Sequence, residues 1–161
     1  MYVIERWNDS ECAAFLRSQV IHFNAGCLSD QIQTPVEQMN LLIQDESGHK
    51  VGGLSGEIFW RHLHIDFLWI EEDSRGKGFG RQLLQMAEMR AKEKDCRLIL
   101  LDTFSFQAPG FYQKQGFNEF GVVRDHPAGF SQHFFEKRLG LEDQPSEELK
   151  ETFPASVKQN R

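Results

Sequence analysis

Apolar residues recur at two different periods along this chain, and the switches between them mark its elements. Met39–Gln44 and Val51–Trp60 read as strands, and Asp45-Glu46-Ser47-Gly48-His49 between them has the residues of a tight turn, so the pair predicts a hairpin. Leu63, Ile65, Phe67, Leu68, Trp69 and Ile70 form the most apolar strand, and alternation fails near Phe67-Leu68, which predicts a bulge in that neighbourhood. Phe79, Leu83, Met86, Ala87 and Ala91 then recur at spacings of three and four, with Arg81, Gln82, Gln85, Glu88, Lys92 and Glu93 opposite. That is an amphipathic helix of roughly four turns. Arg97–Thr103 is a buried strand around Leu98-Ile99-Leu100-Leu101. Pro109 suits the first turn of a short helix ending near Gly116. Phe117–Arg124 and Gln132–Leu139 are two further strands, separated by Asp125-His126-Pro127-Ala128-Gly129.

Upstream of the hairpin, Val3–Trp7 suits a short strand, and Ser10 caps a helix with Cys12, Phe15, Leu16, Gln19 and Val20 near one face. Asn24–Pro35 is polar and irregular, a loop or a short helix. The order β-α-(α)-β-β-β-α-β-α-β-β predicts a mixed α/β sheet. From Gly140 onward the chain turns polar, which predicts a tail over 140–161 outside the core, with a turn or two of helix around Glu147–Thr152.

At 161 residues the chain suits one domain with a sizeable core. A formal net charge of −6 argues against non-specific nucleic-acid binding, which needs a basic face. The local cations Arg75, Lys77 and Arg81 still suit a small anion. Cys12, Cys27 and Cys96 are far apart and form no CxxC, which argues against a disulfide framework and predicts a cytoplasmic protein. The opening MYVIERWNDSE carries charges where a signal peptide needs an apolar core. No run approaches the ~18–20 apolar residues of a membrane span.

The chemistry is concentrated in Arg75-Gly76-Lys77-Gly78-Phe79-Gly80, set between the apolar strand and the amphipathic helix. Glycines let backbone approach a ligand closely, and the first N–H groups of a helix lack partners, so this turn suits phosphate. A P-loop needs Ser or Thr after its Gly-Lys, but Gly78 follows Lys77. The dinucleotide fingerprint G-x-G-x-x-G fails on spacing, since the glycines here run G-x-G-x-G.

Arg75-x-x-Gly78-x-Gly80 resembles the pyrophosphate-binding signature of the GNAT acyltransferases, Q/R-x-x-G-x-G/A. Ala108-Pro109-Gly110-Phe111-Tyr112-Gln113-Lys114-Gln115-Gly116-Phe117 resembles their second signature, and the order of elements agrees over nearly all of residues 1–139. The segment from Leu63 to Leu139 also resembles small bacterial members of unassigned substrate. The resemblance implies a GNAT fold, with a mixed, mostly antiparallel sheet flanked by helices, and an acetyl-CoA-dependent N-acetyltransferase without a metal. It implies pyrophosphate on backbone amides of Arg75, Gly76, Lys77, Gly78, Phe79 and Gly80, with Arg81 at the helix start. Leu68, Trp69 and Ile70 match the strand that pairs with the pantetheine arm, and Ala108 would pack on that arm. Ser105 falls where many members carry a pantetheine-binding Asn, and Tyr112 matches the usual general acid. The acceptor would be a small-molecule or peptide amine. Pairing of late strands between two copies would give a homodimer.

Acyl transfer to an amine requires a deprotonated nitrogen, a donor for the oxyanion and a proton for the departing thiolate. Tyr112 is one of only two tyrosines in a chain with 14 phenylalanines, and it can serve as that proton donor or as a core aromatic. His64, eleven residues before Arg75, is a candidate base or a strand histidine satisfied by a neighbour; Asp66, Glu71 and Glu72 are rivals. His62-x-His64-x-Asp66 also resembles the opening of binuclear zinc hydrolases, although Phe67 stands where those motifs carry another His. A third alternative is a non-catalytic acyl-CoA-binding or partner-binding module. Glu71-Glu72-Asp73 is either a solvated face or an attractor for a cationic amine.

Overall fold

The computed structural model describes residues 4, 6, 10–29 and 32–140. The strand expected over Val3–Trp7 and the helical turn expected near Glu147–Thr152 lie outside the described residues. The elements are α1 (Ser10–Cys27), β1 (Glu37–Gln44), β2 (Lys50–Phe59), β3 (His62–Ile70), α2 (Phe79–Glu93), β4 (Leu98–Phe104), α3 (Pro109–Lys114), β5 (Asn118–Arg124) and β6 (Ser131–Arg138). Among the described residues six strands form one sheet in the order β1-β2-β3-β4-β6-β5. Only β3 and β4 run parallel among the described residues, and α2 is the crossover between them.

One face of this sheet carries the core. Ile58 pairs with Leu63 and Leu63 with Ile99, while Ile65 pairs with Leu101 and Leu101 with Phe135, so all six side chains share a face. Leu83, Leu84, Ala87 and Ala91 of α2 bury against them, and the alanines are fully buried, which lets the helix lie close. Tyr112 of α3 and the following Phe117 complete the cluster. Lys137 Nζ on β6 donates to Glu88 Oε2 on α2 (2.6 Å) and to the Gln115 carbonyl after α3 (3.1 Å), fixing both helices to the sheet. Glu37 on β1 holds α2 from the other side, through Lys94 Nζ (2.6 Å) and Arg90 Nη2 (2.7 Å).

The structure departs from the periodic reading in three places. α1 runs on to Cys27, because Asn24, Ala25 and Gly26 leave helical hydrogen bonding intact and no proline intervenes before Pro35. In α2 it is Leu84, not Met86, that enters the core; Met86 is 53% exposed at the edge of the helix that faces β1. The bulge in β3 falls on Asp66, since Phe67 pairs with Ser55 and Ile65 with Gly56. No helix among the described residues is long and apolar enough to cross a membrane.

Candidate active site

The site exists because β3 and β4 part company. Their ladder covers only His62–Ile65 against Leu98–Leu101. The bulge at Asp66 then bends β3, whose remaining residues stay paired with β2, while Asp102–Phe104 stay paired with β6. Between them opens a cleft of about 880 Å³, floored by Ile65–Ile70 of β3 and Leu101–Thr103 of β4 and closed by Phe106–Ala108 and α3. Along this opening the β3 backbone groups that face β4 have no strand to pair with, so they can receive an extended ligand.

The far end of the cleft is the turn into α2. A single 3-10 turn, Glu72–Ser74, leads into it, and Arg75 Nε donates to the Ile70 carbonyl at 3.1 Å. Gly76 (φ +74) and Gly78 (φ +86) are left-handed, a conformation that side chains with a Cβ resist. A Cβ on either would project into open space, so both leave room above the helix start. Gly78 is the N-cap of α2, and no side chain caps the helix, so its first N–H groups are free to meet an anion. Gly80 serves packing, for a Cβ there would come within 3.1 Å of Phe111 Cζ. Gly76, Gly78, Phe79, Gly80, Arg75 and Arg81 all line the cleft, as do Leu68, Trp69, Ile70 and Ala108. Lys77 is not among the lining residues.

Tyr112 stands at the inner wall, 7% exposed. Phe111, Phe117 and Phe135 hold its ring, with centroids 5.2, 6.0 and 6.0 Å away. Among the described residues nothing hydrogen-bonds its hydroxyl, and no buried side-chain oxygen there lacks a partner, so this oxygen keeps its access to the cleft. Burial, and then the charge of Asp102, raise its pKa above the ordinary 10. The hydroxyl is therefore protonated throughout the neutral range.

Two more expected residues, Ser105 and His64, lie outside the lining. Ser105 turns to β6 instead: its N–H donates to the Ser131 carbonyl (2.8 Å) and its Oγ accepts from the Ser131 N–H (3.1 Å). His64 is absent from the cleft wall but its Nδ1 lies 3.2 Å from Asp66 Oδ1, and Asp66 does reach the cleft. His62 packs edge-on against Phe59 at 4.3 Å, and burial, with the nearby His64, lowers its pKa. No group of three metal-ligating side chains forms among the described residues. The motifs missed Asp102 and Thr103, which line the cleft because β4 runs on beyond its ladder with β3, and Gln107, which lines it from the loop after β4. Gln107 Oε1 accepts from Thr103 Oγ1 (3.0 Å) and the Phe104 N–H (2.8 Å), shaping the loop into α3.

A family model for the acetyltransferase (GNAT) family matches residues 4–117. An acetyltransferase from Bacillus cereus ATCC 14579 of known crystal structure is 50% identical, with a TM-score of 0.82 over 86% of this chain and 98% of that one. A blasticidin-S acetyltransferase of Streptomyces morookaense is 39% identical over 106 residues, 65% of this chain and 78% of its own. An acetyltransferase of Agrobacterium fabrum is 26% identical over 138 residues, 86% of this chain and 98% of its own. The split sheet, the glycine turn and these likenesses agree: the chain belongs to the GNAT acetyltransferase family and is an N-acetyltransferase.

Proposed function

We propose that the protein transfers the acetyl group of acetyl-CoA directly to a primary amine, with Tyr112 as general acid. The observation that carries this reading is the Tyr112 hydroxyl, unbonded among the described residues and open to a cleft whose other end is an uncapped helix start flanked by Arg75 and Arg81. The cradle fits a pyrophosphate, since Gly76 and Gly78 keep the space above the amides clear. Backbone from Arg75 to Gly80, Lys77 included, would hold the phosphates, and the backbone of Leu68, Trp69 and Ile70, with Ala108, the arm that follows. Ser105 would support this wall only indirectly, through Ser131.

Acetyl-CoA supplies an acyl group activated as a thioester. The amine nitrogen bonds to the acyl carbon and the carbon–sulfur bond breaks. Tyr112 protonates the departing sulfur, and the proton lost by the nitrogen restores the tyrosine, so one N–H proton ends on the thiol. A tyrosine with a raised pKa keeps its proton until the thiolate forms. His64 lies behind the cleft wall, so it would take the surplus proton of an arriving ammonium through Asp66, which lines the cleft and lies 3.2 Å from His64 Nδ1. The likeness to a blasticidin-S acetyltransferase favours a small-molecule amine over a peptide.

Tyr112→Phe tests this. It removes the proton and leaves the ring, so kcat falls ~10²-fold or more while the acetyl-CoA dissociation constant holds within about twofold. An unchanged kcat removes Tyr112 from the mechanism. Acetyl-CoA binding without turnover of any amine would make the protein a binding module.

A further inference from the structure

The cleft has two electrical ends. Both arginines of its lining, Arg75 and Arg81, belong to the α2 end, and its two aspartates, Asp66 and Asp102, stand where the strands part. Ile65 and Leu101 are the last pair of the β3–β4 ladder, so Asp66 and Asp102 are the next residue on each side of the split. Each carboxylate is steadied on one oxygen only. Asp66 Oδ1 lies 3.2 Å from His64 Nδ1, and Asp102 Oδ2 accepts from Gln132 Nε2 at 2.6 Å. The other oxygen of each has no bond among the described residues.

Two further observations point to a ligand there. Tyr112, more than nine-tenths buried, lines the same cleft within reach of the Asp102 charge, and its hydroxyl has no partner among the described residues. Phe67 and Phe106 also line it, 74% and 55% exposed. Phe106 is held upright, stacked on Phe104 (5.3 Å) and edge-on to Phe130 (5.0 Å). Aromatic faces beside free carboxylate oxygens suit a flat or poorly hydrated cation.

We propose that this end of the cleft is the acceptor site, and that it selects a small amine carrying a second cationic group of the guanidinium type. The reacting nitrogen lies by Asp66 and the second cation by Asp102, against the ring of Phe106. The proposal rests on the acetyl-transfer reading above and adds the class of acceptor to it.

The test compares three primary amines of similar reach: agmatine, with a guanidinium tail; n-pentylamine, with a neutral tail; and 5-aminopentanoate, with an anionic one. CoA release gives kcat/KM for each. Agmatine should exceed n-pentylamine ~10-fold or more, with 5-aminopentanoate the poorest. Asp102→Asn should bring the agmatine to n-pentylamine ratio close to one. Asp102 also bears on Tyr112, but any effect on Tyr112 is common to both amines and cancels in the ratio. Glu46→Gln, on the β1–β2 turn, removes a carboxylate remote in sequence from the split and should leave the ratio unchanged.

A ratio near one in the unmodified protein, or a ratio untouched by Asp102→Asn, overturns the proposal, as does acetyl-CoA binding with no turnover of any of the three. Failure of acetyl-CoA to bind in calorimetry overturns the donor reading and takes this one with it, so the two failures are distinguishable.

Discussion

At the α2 end of the cleft the ligand would meet backbone; at the strand split it would meet side chains. The first end is built from amides at an uncapped helix start and two glycines in left-handed conformations. The second is built from Asp66, Asp102, Phe67 and Phe106, ordinary residue types whose meaning comes from where the sheet opens. A backbone site demands glycine at fixed spacings, so it leaves a motif. A side-chain site is assembled by register between strands distant in sequence and leaves none. This is the physical reason that the α2 end can be read from one segment and the strand split cannot.

Substitutions should separate the two ends. Gly78→Val has the largest expected effect in this comparison. A β-branched side chain at φ +86 is strained by ~1–2 kcal/mol, and it projects into the space above the helix start. The acetyl-CoA dissociation constant should rise ~10–100-fold by titration, with the order of preference among amines kept. A variant that binds acetyl-CoA normally would show that the cradle is not the phosphate site. Gly80→Leu comes next and acts on the fold. A Cβ added there would meet Phe111 at 3.1 Å, so the larger side chain should cost ~1–3 kcal/mol by denaturant unfolding. No change in the midpoint would mean that α2 and α3 shift freely.

The smallest effect concerns His49 and Glu71, paired at 3.0 Å beside the α2 end. The hydrogen bond to Glu71, and then its charge, raise the His49 pKa above 6.5. The folded state therefore binds this proton more tightly, and the pair's contribution is complete below pH 6.5 and lost as pH rises through the folded value. The melting difference between the protein and His49→Gln should be larger at about pH 5.5 than at about pH 8.5. Equal differences would show that the pair adds nothing in solution, as exposed pairs often do.

Much of the scaffold was legible because it is periodic. The β1–β2 hairpin, α2 and the β4 strand follow from alternation and from three-and-four spacing, and the structure shifts their ends by a residue or two. What was not legible depends on partners. A bulge is defined by two residues opposing one, so its position at Asp66 is fixed by Ser55 and Gly56 on the neighbouring strand. Whether Leu84 or Met86 enters the core depends on how α2 rolls against β2 and β3. Ser105 matches a pantetheine-binding position only by resemblance, and its hydroxyl follows the backbone pairing with Ser131. Asp102 carried no signal at all, since an acid inside a buried strand becomes a cleft residue only where the adjacent ladder ends.

The central claim is that the Gly76–Gly80 turn holds the donor while Tyr112 faces its acyl group. Calorimetric titration of acetyl-CoA into the protein and into Gly78→Val tests it most directly. The account predicts saturable one-to-one binding that weakens at least ~10-fold in the variant. Absence of saturable binding, or equal affinity in the two proteins, would contradict it.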